Sequence, residues 1–245
     1  PILKSRWPAI AETTSRVAVH QAEIITLEDE ISHCDFINVV NTDRQTLCIS
    51  QLTELSMARQ KNLIRYWIKS LKLPPPDSLH LKHIFKDVLS SKVDAQPCVS
   101  WKGAEVRRYR DELYALTPLR MHDKQQEYIW SLDQSLQVTH GELRASMEKD
   151  GGIRPEACPS NSLLVRYRRG GEIIRPMGRK KQHDLKSLMQ EQGIPAWCRD
   201  RIPLLYIDDK LAVVPGLWID EEFASTSCEK GWKITWTGMD KLVPI

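Results

Sequence analysis

Residues Leu163–Arg175 read LLVRYRRGGEIIR. Successive side chains of a strand point to opposite faces. Val165 and Tyr167 therefore fall on one face, and Arg166 with Arg168 on the other. Arg169 follows at the turn, and Gly170-Gly171 lets the backbone reverse tightly and approach a partner closely. Ile173-Ile174 then resumes an apolar run. Downstream, a short helix is expected from about His183 to Gln192, with Leu185, Leu188 and Met189 inward and Gly193 as its stop. Short β runs follow at Leu204–Ile207, Leu211–Val214 and Trp232–Trp236. This is the pattern of a small, mainly β domain with one or more short helices.

Upstream, the periodicity is helical. Residues 9–34 lack Gly and Pro and follow Trp7-Pro8, a favourable helix start. Thr46–Leu52 alternates like a short strand. Ile64, Trp67, Ile68 and Leu71 form one apolar stripe at i, i+3, i+4 and i+7. Lys61, Arg65 and Lys69 recur every four residues on another face. Pro74-Pro75-Pro76 must stop that helix. Asp77 or Ser78 then caps a third helix with Leu81, Ile84, Phe85 and Val88 inward. Val99 and Trp101 alternate, Lys102-Gly103 reads as a turn, and Val106–Arg110 and Leu113–Leu116 read as strands. Residues 117–160 are poorly patterned, and Asp150-Gly151-Gly152 with Pro155 and Pro159 is the expected boundary. The fold class is α+β: a helical and mixed middle domain over 51–150, then a small, mainly β C-terminal domain over 158–245.

Composition narrows the function. The 245 residues are 41% hydrophobic and 27% charged, an ordinary globular balance that excludes global disorder. The longest apolar run, Leu211–Ile219, contains a Pro and a Gly and is too short to span a membrane. The chain starts at Pro1 without a basic-then-apolar leader, so a signal peptide is not expected and a chain cut from something longer is. The six cysteines, at 34, 48, 98, 158, 198 and 228, form no Cys-x-x-Cys pair. Reduced thiols in the cytoplasm are the expectation. His80 and His83 stand at i, i+3 without the further ligands of a zinc set. No phosphate loop, dinucleotide fingerprint or nucleophile elbow is present.

Charge is unevenly spread. Residues 1–162 carry 21 basic and 21 acidic side chains, residues 163–202 carry 10 and 4, and residues 203–245 carry 4 and 7. The local excess of six cations is a candidate footprint for a polyanion. The candidate contacts within it are Arg166, Arg168, Arg169, Arg175, Arg179, Lys180, Lys181, Arg199 and Arg201, the arginines suited to bidentate phosphate contacts. Tyr167 and Trp197 lie among them, available for base stacking or for core packing. Lys61, Arg65 and Lys69, with the strand arginines Arg107, Arg108 and Arg110, form a second candidate surface. Arg107 and Tyr109 alternate to the opposite side of that strand.

These stretches carry a family resemblance. Leu163–Arg175, Glu191–Tyr206 (EQGIPAWCRDRIPLLY) and Ala212–Asp220 (AVVPGLWID) resemble the C-terminal domain of bacterial tRNA(Ile)-lysidine synthetases. Ala58–Ile68 (ARQKNLIRYWI) and Trp101–Leu116 (WKGAEVRRYRDELYAL) resemble the substrate-recognition domain of the same enzymes. The resemblance implies a ligase that joins lysine to C2 of the wobble cytidine in the CAU anticodon of tRNA(Ile). ATP first adenylates the base and the lysine amine displaces AMP, which turns methionine identity into isoleucine identity. It also implies that ATP with Mg and the lysine bind an N-terminal PP-loop domain marked S-G-G-x-D-S, a motif absent here, so no catalytic or cofactor residue is assigned to this chain. Residues 1–50 then correspond to the connecting helix and linker. The implied partner is tRNA, with no DNA and no membrane, and a homodimer is left open. A free-standing RNA-binding module and a purely structural domain are the competing readings.

Overall fold

The computed structural model describes residues 7–92, 95–119, 121–149, 151–226 and 229–238. Asp150, Cys228 and the residues before Trp7 lie outside the described residues. Two compact units divide between Pro118 and Leu119.

The first unit packs helices on one antiparallel sheet. Helix α1 (Pro8–Val39) is longer than the expected 9–34. Its last turns lie against α3 (Met57–Ser70), where Phe36 meets Tyr66 edge-on at 5.6 Å and Asp35 accepts from Arg59 Nε at 3.0 Å. Strands β1 (Val40–Asn41) and β2 (Thr46–Cys48) follow, then helix α2 (Ile49–Glu54). On α3, Leu63, Ile64, Trp67 and Ile68 are wholly buried, and the Trp67 indole donates to the Gln45 carbonyl at 2.8 Å. The prolines do not themselves end α3. Lys72 takes a left-handed conformation (φ 58°), Leu73 N–H donates to Ile68 O and Lys72 N–H to Lys69 O, a Schellman closure completed before Pro74. Asp77 caps α4 (Ser78–His83) by accepting from His80 N–H at 2.8 Å, and the helix runs on as a π-helical stretch, Ile84–Leu89.

The sheet order is β1-β2-β5-β4-β3, from β3 (Cys98–Trp101), β4 (Ala104–Tyr109) and β5 (Glu112–Leu116). Lys102-Gly103 makes the two-residue turn, with Gly103 at φ 87°. Strands β1 and β2 belong to this sheet, so residues 40–50 are built into the unit and are more than a linker.

The second unit begins well before the expected boundary. The poorly patterned 117–160 stretch holds β6 (Glu127–Ser131), β7 (Leu136–Val138) and β8 (Gly141–Lys149). Strand β6 pairs with β9 (Ser162–Arg166), and β8 pairs with the last strand, Lys230–Trp236. Gly151-Gly152 is therefore no linker. Ile153 exchanges both backbone hydrogen bonds with Trp232, and Gly152 sits at φ 96° where a Cβ would lie 2.5 Å from the Trp232 carbonyl oxygen. The expected elements appear as β10 (Ile173–Ile174), α5 (Leu185–Glu191), β12 (Leu204–Ile207), β13 (Lys210–Val214) and β15 (Lys230–Trp236), while His183–Asp184 forms a short strand, β11, in place of the first helical turn, and α6 (Ala196–Arg199) and β14 (Trp218–Ile219) are additional. The main sheet runs β14-β13-β12-β9-β6 and the smaller one β15-β8-β7. Leu163 and Val165 of β9 point into the core between them. The five described cysteines form no disulfide.

Candidate nucleic-acid interface

Strand β9 and the loop after it place the first group of cations. Gly170-Gly171, with φ 103° and 82°, turns the chain, and Glu172 secures the turn by accepting from the N–H groups of Arg169 (2.5 Å) and Gly170 (2.8 Å). Beside this turn lies a cleft of about 780 Å³ whose walls include Arg166, Arg169, Arg175, Lys180, Tyr206 and Lys210. The Arg166 guanidinium stacks on the Tyr206 ring at 3.8 Å. Tyr206 is itself buried, which pushes its phenol up, while Arg166 pulls it down. Carboxylates share the cleft: Glu172, Asp209, Asp220 and Glu222. It is a mixed-charge surface, and the excess counted along the sequence is much reduced in space.

The reason is that acidic side chains from distant segments meet the arginines. Arg169 pairs with Glu127 at 2.9 Å, Arg175 with Glu221 at 3.1 Å, and Arg179 with both oxygens of Glu191 at 2.8 and 3.2 Å. That bidentate contact holds the Glu191 carboxyl below the usual range. These three arginine side chains stay 41%, 41% and 38% exposed, so their ion pairs are solvent-screened and weak. Lys180 and Lys181 are exposed.

Four expected contacts are structural instead. Arg168 is mostly buried, between Asp200 (3.2 Å) and Glu172 (3.6 Å). Arg199 is 6% exposed and donates from Nε to the Ile194 carbonyl at 2.8 Å. Arg201 donates from Nη1 to the Trp197 carbonyl at 2.6 Å. Arg108 donates to the carbonyls of Leu89, Ser91 and Arg110, stapling the end of the π stretch. Tyr167 and Trp197 are buried and offer no ring for stacking. Arg110 is not on the strand; it occupies the β4–β5 turn at φ 56°, over the Tyr109 ring at 5.3 Å. Arg107 pairs with Glu105 at 2.7 Å.

The first unit carries the other surface. Lys61 and Arg65 line a groove of about 850 Å³ between α3 and the α4–π helix, together with Lys82 and Lys86. The two latter residues were missed in the sequence, although their i, i+4 spacing is the signal that singled out Lys61 and Arg65. Lys69 points elsewhere and pairs with Asp29 at 2.8 Å. His80 and His83 pair with Asp77 and Asp87. Among the described residues no three His, Cys, Asp or Glu side chains converge to hold a metal ion, and no helix there is long and apolar enough to cross a membrane.

Comparison with known proteins agrees with this division. The model of the TilS substrate binding domain matches residues 47–114, and that of the TilS substrate C-terminal domain matches residues 163–236. The chain is 38% identical over 236 residues to the tRNA(Ile)-lysidine synthase of Coxiella burnetii, covering 96% of this chain and 52% of the relative. It is 35% identical over 240 residues to that of Methylococcus capsulatus, covering 97% and 55%. The chain thus spans about half the length of the curated relatives it matches. A solved structure titled "Crystal structure of TILS C-terminal domain" aligns with 46% of this chain and 98% of its own, at 23% identity and a TM-score of 0.37. With both substrate-side domains present in order, the chain belongs to the tRNA(Ile)-lysidine synthase family and represents its C-terminal portion.

Proposed function

We propose that this chain is the tRNA-gripping portion of an ATP-dependent ligase that forms lysidine at the wobble cytidine of a CAU-anticodon tRNA(Ile). The observation that carries the reading is the co-occurrence of the two substrate-side domains, the first with a basic groove and the second with an arginine-lined cleft. ATP, Mg and lysine act in a domain outside this chain, so the chain alone holds substrate and does no chemistry. A-form stems hide their major-groove edges, so the grip is to phosphates, 2′-hydroxyls and the shallow minor groove. Such contacts set register and orientation. Holding the tRNA body in register delivers the anticodon to a catalytic site, and that positioning is worth as much as local chemistry. The same reading makes the compartment the cytoplasm and the ligand neither DNA nor membrane. Self-association into a homodimer is a separate question for light scattering.

The test is a salt-titrated binding assay with transcripts of tRNA(Ile) and tRNA(Met), both bearing CAU. Affinity is expected to fall with salt at a log–log slope of roughly 0.7–0.9 per phosphate contacted, and to favour tRNA(Ile). No binding to either transcript at low salt overturns the reading.

A further inference from the structure

The groove of the first unit differs from the C-terminal cleft in one respect. Among the described residues lining it, its four cations, Lys61 and Arg65 on α3 and Lys82 and Lys86 on the α4–π helix, are accompanied by no carboxylate. The arginines of the second unit sit in a cleft with four carboxylates, most of them already paired. The positive charge of its described lining is therefore not offset within the groove, although the sequence count over residues 1–162 balances.

The groove is also not purely ionic. Leu81 closes its base, Phe85 and Leu89 are half-buried along it, and Met57 stands 54% exposed at its edge. A paired A-form stem presents phosphates and riboses outward and keeps its bases stacked inside, so it would meet the cations and leave the apolar floor wet. An unpaired nucleotide brings both parts: a phosphate for the rim and a base whose face packs on aromatic and thioether side chains. At about 850 Å³ the groove lies within the usual 300–1,000 Å³ range of small-ligand sites, wide enough for a splayed nucleotide. One wall is the π-helical stretch Ile84–Leu89, a widened turn of the kind that recurs at functional sites.

We infer that this groove seats an unpaired loop nucleotide of the tRNA. Its flanking phosphates lie on Lys61, Arg65, Lys82 and Lys86, and its base packs against Phe85 and Met57. The inference rests on the RNA-binding reading above. An acidic amphipathic protein segment would match the same rim and floor, but the groove lies within the part matched by the substrate binding domain, which favours the RNA.

The experiment uses the whole chain with a tRNA(Ile) CAU transcript. Lys82→Gln with Lys86→Gln is the first variant; both lysines are exposed, so its melting curve should match wild type. Its log–log salt slope should drop by roughly 1.4–1.8, two phosphate contacts' worth, with affinity down about tenfold or more near physiological salt. The second arm replaces Met57 with photoreactive p-benzoylphenylalanine, and its crosslinks should map to loop nucleotides. If wild type binds with the expected slope while the double variant keeps both slope and affinity, the groove inference falls alone and a protein partner takes its place. Crosslinks confined to stem nucleotides overturn the unpaired base. If wild type binds no tRNA, the functional reading falls and the groove inference with it.

Discussion

Arg168 Nη1 donates to Asp200 Oδ1 at 3.2 Å, and its Nε lies 3.6 Å from Glu172 Oε2. Glu172 is only 9% exposed and already anchors the N–H groups of Arg169 and Gly170. Arg168 is thus the counter-charge that lets a buried carboxylate organise the Gly170-Gly171 turn. Removing one member of such a pair leaves the other uncompensated. Arg168→Gln should cost about 2 kcal/mol in urea unfolding, less than a fully buried pair because Arg168 keeps some solvent contact. RNA affinity of the folded fraction should stay near wild type. A variant with unchanged stability and a weakened affinity would instead make Arg168 a phosphate ligand.

Gly152 tests the position of the second unit's boundary. Its φ of 96° disfavours any side chain, and a Cβ would meet the Trp232 carbonyl at 2.5 Å, against backbone that is itself paired to Ile153. Gly152→Ala should destabilise by on the order of 3 kcal/mol, combining backbone strain with displacement of β15. Gly151→Ala shares the positive φ but meets nothing within 4 Å, and so should cost less. Equal, negligible effects at both positions would mean that the segment is the flexible linker its Gly-Gly composition suggests.

What the sequence revealed and what it hid follow from the range of the interactions. The α3 stripe, the Asp77 cap, the Lys102-Gly103 hairpin and the β9 alternation are local, and each is visible as spacing or as a turn residue. Strands β6 to β8 are not, because their stability comes from partners far along the chain. Ile129 of β6 is 84% exposed beside a buried Trp130, and Leu143 of β8 pairs across to Trp236. The basic stretch shows the same limit. Counting along 163–202 registers ten cations but not the fold's delivery of Glu127 and Glu221 from outside it. Lys82 and Lys86 were legible as a pair, but their meeting with Lys61 and Arg65 is a tertiary fact.

His122 makes the second unit's stability depend on pH. Its ring meets Tyr167 edge-on at 4.2 Å and lies 5.4 Å from His140. Burial lowers its pKa from the usual 6.5, and the charge of Arg201 pushes it the same way, against an opposing hydrogen bond at Asp200. Below pH 6.5 the unfolded chain binds a proton that the folded imidazole resists. Stability should therefore fall as pH drops through 6.5, levelling only once the folded ring is also protonated. His122→Phe, which keeps an aromatic ring against Tyr167, should flatten this part of the curve relative to wild type. Parallel curves for the two proteins between pH 7 and 5 would remove His122 as the cause.

Arg166 is the cleft residue in which stacking and charge combine. Its guanidinium covers one face of Tyr206 at 3.8 Å and lines the cleft beside Lys180. Arginine on an aromatic ring is held flat, with its outer face and N–H edges turned toward a ligand. Arg166→Ala should reduce tRNA affinity about tenfold and lower the log–log salt slope by roughly 0.7–0.9, one phosphate's worth. Arg166→Lys should keep the slope yet recover only part of the affinity, because an ammonium gives charge without the planar fork. The Tyr206 phenol supplies an RNA-free readout. Burial already raises its pKa and Arg166 opposes that rise, so in Arg166→Ala the phenol should titrate at higher pH still, followed by ultraviolet absorbance. A phenol that moves while affinity stays at the wild-type value would confine Arg166 to supporting Tyr206, and would leave the C-terminal grip to Arg169, Arg175, Arg179 and Lys180.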